Sequence, residues 1–405
     1  VVEGGKTKKL QGVATGMWGD MLTPEFWRGK QVFVTGHTGF KGTWLCLLLE
    51  RLGAHVSGYA LEPPSSPSLF QLAGVADRID SVHGDIRDFD KLHQTIRERR
   101  PEIVIHMAAQ ALVRRSYRDP IENYSTNVMG TVHLLEAVRR VGSPRVVINV
   151  TSDKCYQNRE MIWGYRETDA MGGHDPYSSS KGCAELVADA YRNSYFTPKQ
   201  GESLPILCSV RAGNVIGGGD WAEDRLIPDC IRSLSKNEAV LIRSPHAIRP
   251  WQLVLEPLEG YLTLAEKAWD GGSEYAGGWN FGPRDSDAQP VRQIVERIVS
   301  LWGPGARWTL SDGPHPHEAH YLKLDCTKSR AKLDWEARTN LALALDWIVD
   351  WYRDVGRGKN AYNVSHETLD RFLSLERPST WTSPDSPRTP WPLPQHPAAV
   401  FAKAS

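Results

Sequence analysis

The chain has no apolar run approaching the ~20 residues that a membrane-spanning helix requires, and its first thirty residues lack the apolar core of a secretory signal. Secretion and membrane insertion are therefore not expected, and the reading is cytoplasmic. Charge of one sign is also missing. Lys and Arg number 48, and so do Asp and Glu, so there is no global attraction to nucleic acid or to an anionic lipid surface. Cysteine is scarce: six residues, at 46, 155, 183, 208, 230 and 326, are scattered without a Cys-x-x-Cys pair. That spacing excludes a disulfide framework and a cysteine metal knot, and it reads as reduced thiols. No internal repeat is evident. A length of 405 residues allows one large or two modest domains.

What is present is an alternation of strand and helix patterns. Gln31 to Thr35, His55 to Ala60, Ile79 to Gly84, Ile103 to Met107 and Val146 to Val150 read as strands, with helical stretches between them. Alternation of this kind predicts an α/β fold with a doubly wound parallel sheet of the Rossmann type. The first strand runs into a turn carrying Gly36, Gly39 and Gly42 and then into an apolar helix from Thr43 to Leu49. Such glycines let the backbone approach a pyrophosphate, and the free N–H groups of the helix start favour an anion there. Asp119 and Pro120 have the residue types of an N-cap and a first helical position, opening a helix that runs through Asn127 to Val141.

The reactive residues come later. Tyr177 and Lys181 are one helical turn apart and so share a face. Oxidising a secondary alcohol needs a base within reach of the hydroxyl. A free phenol, with pKa ~10, is a poor one unless a nearby cation favours the phenolate. Ser152 stands at the end of the strand Val146 to Val150, where a hydroxyl can hold the substrate oxygen. Asp153 and Lys154 follow it, and they form either an ordinary ion pair or a further acid and base. If catalytic, they titrate as a coupled pair, since an acid must keep a proton that a lysine base must lose.

These segments carry a resemblance. Residues 33–42, 84–88, 106–110, 124–130, 151–156, 177–181, 211–221 and 249–251 are similar to motifs of the extended short-chain dehydrogenase/reductase family, and within it to the branch that dehydrates CDP-glucose. The similarity runs over roughly residues 27 to 365. It implies NAD as cofactor and CDP-glucose as substrate, for deoxysugar biosynthesis such as that of a lipopolysaccharide O-antigen. In the implied mechanism Tyr177 takes the proton of the glucose 4-hydroxyl while C4 gives a hydride to NAD. A base then removes the C5 proton, an acid protonates the departing C6 hydroxyl, and the hydride returns to C6. Asp153 and Lys154 occupy the place of an Asp-Glu pair in the related dTDP-glucose dehydratases. By the same resemblance Gly36, Thr38, Gly39, Phe40, Gly42, Asp85, Ile86, Ala108, Ala109, Gln110, Asn127, Tyr177 and Lys181 hold the cofactor, with Asp85 and Ile86 bordering the adenine. Asn214, Arg225, Leu226, Arg249 and Tyr321 are implied on the substrate side. The two arginines suit a diphosphate because guanidinium pairs with it bidentately.

Two positions depart from the pattern. The second strand ends Ala60, Leu61, Glu62 without the acidic residue that usually meets the adenosine ribose, and Lys41 and Arg87 leave a 2'-phosphate conceivable. Leu253 stands where the resemblance leads one to expect histidine. His315, His317 and His320 cluster, but no cysteine joins them and the intervening proline disrupts ligand geometry, so no metal is expected. The expected organisation is an extension over 1–26, a mainly NAD-binding domain over 27–210, a mainly nucleotide-sugar-binding domain over 211–376 whose chain crosses back to the sheet, and a proline-rich tail over 377–405. Leu341 to Tyr352, with Trp347 and Trp351 one turn apart, reads as core packing or a domain contact. A homodimer is expected through the helices over 119–141 and 181–195, with a tetramer as the alternative. Two other functions stay open: an epimerase or reductase on the same fold, and a noncatalytic dinucleotide-sensing protein.

Overall fold

The computed structural model describes residues 22–197, 204–311 and 322–376. Seven strands form one parallel sheet: β1 (Gln31–Thr35), β2 (His55–Ala60), β3 (Asp80–His83), β4 (Ile103–His106), β5 (Val146–Val150), β6 (Ile206–Ala212) and, after three short strands, β10 (Gly277–Phe281). The short ones are β7 (Asn214–Ile216), β8 (Val240–Ile242) and β9 (Ile248–Leu253). The order is β10-β6-β5-β4-β1-β2-β3, so the winding reverses between β1 and β4. A crevice opens at the carboxyl ends of the strands at such a point.

The sheet is central because its strands are apolar on both faces. Successive side chains of a strand point to opposite sides. Val32, Val34, Ile103, Ile105, Val146 and Ile148 accordingly enter one core, and Phe33, Val104 and Val147 enter the other. Helices Phe40–Leu52 and Leu255–Gly271 cover the first face. Helices Phe89–Arg99, Gly130–Val141 and Pro176–Tyr195 supply Leu92, Leu134 and Ala188 to the second. Each fully buried leucine contributes ~1.5–3 kcal/mol.

Helix starts follow their capping residues. Asp119 accepts from the Glu122 amide at 2.8 Å, and Asp175 accepts from the Ser178 amide at 3.0 Å ahead of Pro176. The helical stretch expected from Pro120 to Val141 forms, but Ser125–Met129 widens into a π turn of the kind often found at functional sites.

The fold begins before the expected boundary at residue 27. Thr23 and the Trp27 indole both donate to the Glu266 carboxylate, at 3.0 and 2.5 Å, and Leu22 and Trp27 are buried. Burying a donor without a partner is costly, so this carboxylate fixes the segment to helix Leu255–Gly271. β9 pairs with β7 in parallel and with β11 (Ala288–Pro290) antiparallel, while β12 (Trp308–Leu310) pairs with β8. Leu253 pairs with Ile216 and lies in the core at 2% exposure, so the missing histidine leaves packing intact there. Trp351, on helix Leu341–Gly356, is buried and donates to Ser365 at 3.0 Å. It meets Trp221 edge-on at 5.7 Å between centroids and belongs to the main core, the first of the two roles expected of this helix. Among the described residues no helix is long and apolar enough to cross a membrane. The cysteines form no disulfide. The tail over 377–405, the residues before 22, the histidine cluster over 315–320 and Tyr321 lie outside the described residues.

Candidate active site

A cleft of about 1800 Å³ runs along the carboxyl ends of the sheet, and its walls come from both halves of the chain. At one end is the glycine turn. Gly36 has φ +75°, a conformation that L side chains rarely adopt, and a Cβ there would meet the Ala108 nitrogen at 2.7 Å. A Cβ on Gly42 would stand 2.2 Å from the Gly36 carbonyl oxygen. The turn and the helix start can close only with glycine at both positions. Helix Phe40–Leu52 has no side-chain cap at Gly39, which leaves its first N–H groups for an anion. This cradle fits the diphosphate of a dinucleotide.

The reactive group lies where β5 ends. Ser152 Oγ donates to Asp153 Oδ1 at 2.9 Å, and Lys154 Nζ approaches the same oxygen at 3.3 Å. Asp153 is 1% exposed while the Lys154 side chain is one-third exposed. The pairing is therefore an ion pair, and it is one that faces the cleft. Tyr177 is buried and lines the cleft with Ser152. Burial pushes its phenol above its usual value, and the Lys154 charge, the nearby Ser152 hydroxyl and the Arg225 charge pull the other way, while Asp153 adds to the rise. Lys181 donates to the Val150 carbonyl at 3.3 Å. Burial pulls its ammonium down to about 8 against the raising effect of Glu185. The sequence reading made Lys181 the cation beside Tyr177. In the folded protein Lys154 is the cation that lowers the phenol most.

Opposite stands the part of the cleft lined by Asn214, Arg225, Leu226 and Arg249. Arg225 pairs with buried Asp220 at 2.9 Å, so part of its charge is already matched. Arg249 lines the cleft with Nη1 donating to the Ile248 carbonyl at 3.0 Å.

A family profile described as GDP-mannose 4,6 dehydratase matches residues 33–275. The chain belongs to the GDP-mannose 4,6 dehydratase family. It is 57% identical over 355 residues to the CDP-glucose 4,6-dehydratase of Salmonella typhimurium, an alignment that covers 87% of this chain and 99% of that one. Its fold is similar to a UDP-glucose 4-epimerase of Thermotoga maritima solved with UDP-glucose, with TM-score 0.69, 22% identity, and 80% and 99% of the two chains covered. A dTDP-glucose 4,6-dehydratase of Streptomyces venezuelae solved with NAD has TM-score 0.67 and 23% identity, covering 80% and 97%.

Within this family fold, the cleft brings together Gly36, Thr38, Gly39, Phe40, Gly42, Asp85, Ile86, Ala108, Ala109, Gln110, Ser152, Asp153, Lys154, Tyr177 and Lys181. Asn127 is placed differently. Its amide accepts from the Gln110 amide at 2.8 Å and donates to the Gln110 carbonyl and to Ser180, at 3.0 and 2.9 Å. It does not line the cleft; it ties the loop after β4 to the helix that carries Tyr177. The two cations that left a 2'-phosphate conceivable beside the expected NAD both have partners within the protein. Asp85 grips Arg87 through both carboxylate oxygens. Lys41 turns away to the cleft floor, where it donates to the Tyr261 hydroxyl at 3.1 Å. Glu62 lines the cleft at the end of β2.

Sequence reasoning missed Glu185 and Arg211, an enclosed ion pair at 2.7 Å beneath the end of β5. Glu185 lies four residues beyond Lys181 on the same helix face, so the spacing that found Lys181 also pointed to it.

Proposed function

We propose that this chain is a CDP-glucose 4,6-dehydratase, an NAD-dependent hydro-lyase that turns CDP-glucose into CDP-4-keto-6-deoxyglucose and water. The observation that carries this reading is the 57% identity, over nearly the whole of the relative, to a protein named for that reaction. The reaction needs an acid beyond the base of a simple alcohol oxidation, and Asp153 is the residue offered for it.

NAD, when bound, supplies the acceptor for the hydrogen leaving C4 and the donor of that hydrogen to C6. Tyr177 takes the proton of the 4-hydroxyl while Ser152 holds the same oxygen, and the Lys154 and Arg225 charges favour the phenolate against burial. The ketone at C4 acidifies the C5 hydrogen. A proton shift across the 3.3 Å contact between Lys154 and Asp153 converts the ion pair into a neutral amine and a neutral carboxyl with no net uptake. The amine removes the C5 proton, and the carboxyl gives its own to the C6 oxygen, so that the C6–O bond breaks and water leaves. Lys154 then returns a proton to C5 as the hydrogen arrives at C6. Relative to the resting ion pair Tyr177 ends with one proton more and Lys154 with one fewer, and passage of that proton from Tyr177 to Lys154 resets the site.

Residues 27–210 supply most of the coenzyme side and residues 211–376 most of the nucleotide-sugar side, with Asn214, Arg225, Leu226 and Arg249 toward the sugar nucleotide. The working form is a homodimer in the cytoplasm. Exposed Ile121, Met129 and Leu186 on the flanking helices support pairing there, and the unpaired cysteines support a reducing compartment. Sedimentation of the purified protein tests the first.

The deciding experiment incubates the protein and NAD with CDP-glucose, dTDP-glucose, UDP-glucose and GDP-mannose and follows loss of one water by mass spectrometry. Loss from CDP-glucose without accumulation of reduced coenzyme is expected. Stoichiometric reduced coenzyme with a fully hydroxylated sugar, or water loss from another nucleotide sugar alone, overturns the reading.

A further inference from the structure

Next to the arginines assigned to the diphosphate, the cleft holds an acid and a base joined side by side. Asp224 directly precedes Arg225 and lines the cleft, as do Arg243, one residue beyond β8, and Arg114 on helix Val113–Arg118. Arg243 donates through Nη1 and through Nη2 to Asp224 Oδ1, each at 3.1 Å. Arg114 Nη1 approaches the same oxygen at 3.4 Å from the coenzyme half of the chain, and Asp229 Oδ2 is 3.9 Å from Arg243 Nη2. Asp224 has φ +57°, the left-handed region that few residues other than glycine enter and that gathers at ligand sites.

These contacts use only part of each group. All of those to Asp224 fall on Oδ1, so Oδ2 remains as an acceptor. A guanidinium carries five N–H groups in a rigid fork, and Asp224 takes one from each Nη, so the edge made by Nε and its neighbouring Nη keeps two parallel donors. The three side chains are about one-third exposed in the cleft, so a ligand can reach them.

That donor and acceptor pattern matches one pyrimidine. The pairing edge of cytosine presents a 4-amino donor followed by the N3 and O2 acceptors, whereas uracil and thymine present an O4 acceptor followed by an N3–H donor. We propose that the Asp224–Arg243 pair reads the base of the sugar nucleotide: Oδ2 accepts from the 4-amino group of cytosine, and the guanidinium donates to N3 and O2. Uracil or thymine sets its O4 against the carboxylate and its N3–H against the guanidinium, so both contacts become repulsive. Arg114 fixes the carboxylate and does not touch the base. The inference rests on the functional reading above and names what in that site selects CDP.

The test is calorimetry with CDP and UDP, which needs no turnover. The wild type binds CDP more tightly. Asp224→Asn and Arg243→Gln each put an amide, able both to donate and to accept, in place of a group of one kind, so each lowers the preference for CDP by about tenfold. The diphosphate of 2-pyrimidinone riboside, which has hydrogen in place of the amino group, binds the wild type about tenfold more weakly than CDP, and this arm decides the matter if the variants do not fold. A wild type that binds CDP and UDP alike, a preference that survives either substitution, or an analogue that binds as well as CDP overturns the proposal. A wild type that prefers CDP yet releases no water from CDP-glucose overturns the dehydration reading and leaves the base-reading pair in place, which keeps the two failures apart.

Discussion

The Glu185 carboxylate holds the Arg211 guanidinium by two hydrogen bonds, 2.7 and 2.9 Å long, with both side chains about 5% exposed. Thr151, at the end of the catalytic strand, donates to the same carboxylate at 2.5 Å, and Arg211 donates to the Tyr156 hydroxyl at 2.6 Å. One enclosed ion pair thus joins β6, the end of β5 and the helix that carries Tyr177 and Lys181. Replacing one partner leaves the other charge buried and unmatched, which costs ~3–5 kcal/mol. Arg211→Met is therefore expected to lower the stability by about that amount in urea titration. Glu185→Gln with Arg211→Met should cost less than the sum of the single changes. Additive losses would mean that the two side chains do not act as a unit.

Gly42 makes a second prediction, because the room it leaves belongs to the coenzyme cradle. An added methyl group would lie 2.2 Å from the Gly36 carbonyl oxygen and 2.8 Å from the His37 Cα, so Gly42→Ala must push the turn and the helix start apart. NAD affinity measured by calorimetry should fall at least about tenfold, equal to ~1.4 kcal/mol, with the circular dichroism spectrum retained. Unchanged affinity would remove the diphosphate from this turn.

β1, β4 and β5 were legible because each is a short run rich in β-branched and apolar residues, a local pattern that survives folding unchanged. Val146 to Val150 needed only its own composition, and Tyr177 with Lys181 only the helical period. Lys41 was not legible. Its neighbours in sequence are the glycines of the cradle, and it leaves them for Tyr261, 220 positions away. The same holds for Asn127, whose partners Gln110 and Ser180 come from two other segments. Leu22 to Phe26 fell within the expected extension over 1–26 because Glu266, whose carboxylate docks Thr23 and Trp27, lies 243 and 239 positions further along the chain than they do. Periodicity reports which face of an element is buried, and it is silent on which distant polar group satisfies a side chain.

Asp153 separates the reaction into stages. Asp153→Asn keeps the size of the side chain and an acceptor for Ser152, but its amide cannot give a proton to the C6 oxygen. Loss of a positioned acid typically costs about a hundred- to ten-thousandfold in rate. Elimination should fall by that factor while C4 oxidation falls much less, so that reduced coenzyme accumulates in a rapid-mixing experiment where the wild type shows only a transient. Equal losses in both stages would assign Asp153 to holding Ser152 rather than to dehydration.

Two buried histidines set the acid limit of the fold. His106 is enclosed between Thr35, 2.7 Å from Nδ1, and Thr131, 3.3 Å from Nε2. Burial first, and the Lys181 charge second, pull it down to about 3. His37, 2.8 Å from the Ser81 hydroxyl, is pulled down by burial to about 4. In the unfolded chain both titrate near 6.5. Above that value neither state carries the proton, and the native state keeps the full benefit. As the pH falls below it, the unfolded chain takes up protons that the native state refuses, and stability drops by up to ~1.4 kcal/mol per pH unit for each histidine. The slope ends near pH 4 for His37 and near pH 3 for His106, where the folded protein is protonated too. His106→Gln can still bond both threonines but does not titrate. It should cost stability at pH 7.5 and yet flatten the decline between pH 6 and pH 4.5, read from urea midpoints along the series. A variant that loses stability as steeply as the parent over that interval would show that His106 is already charged in the native state.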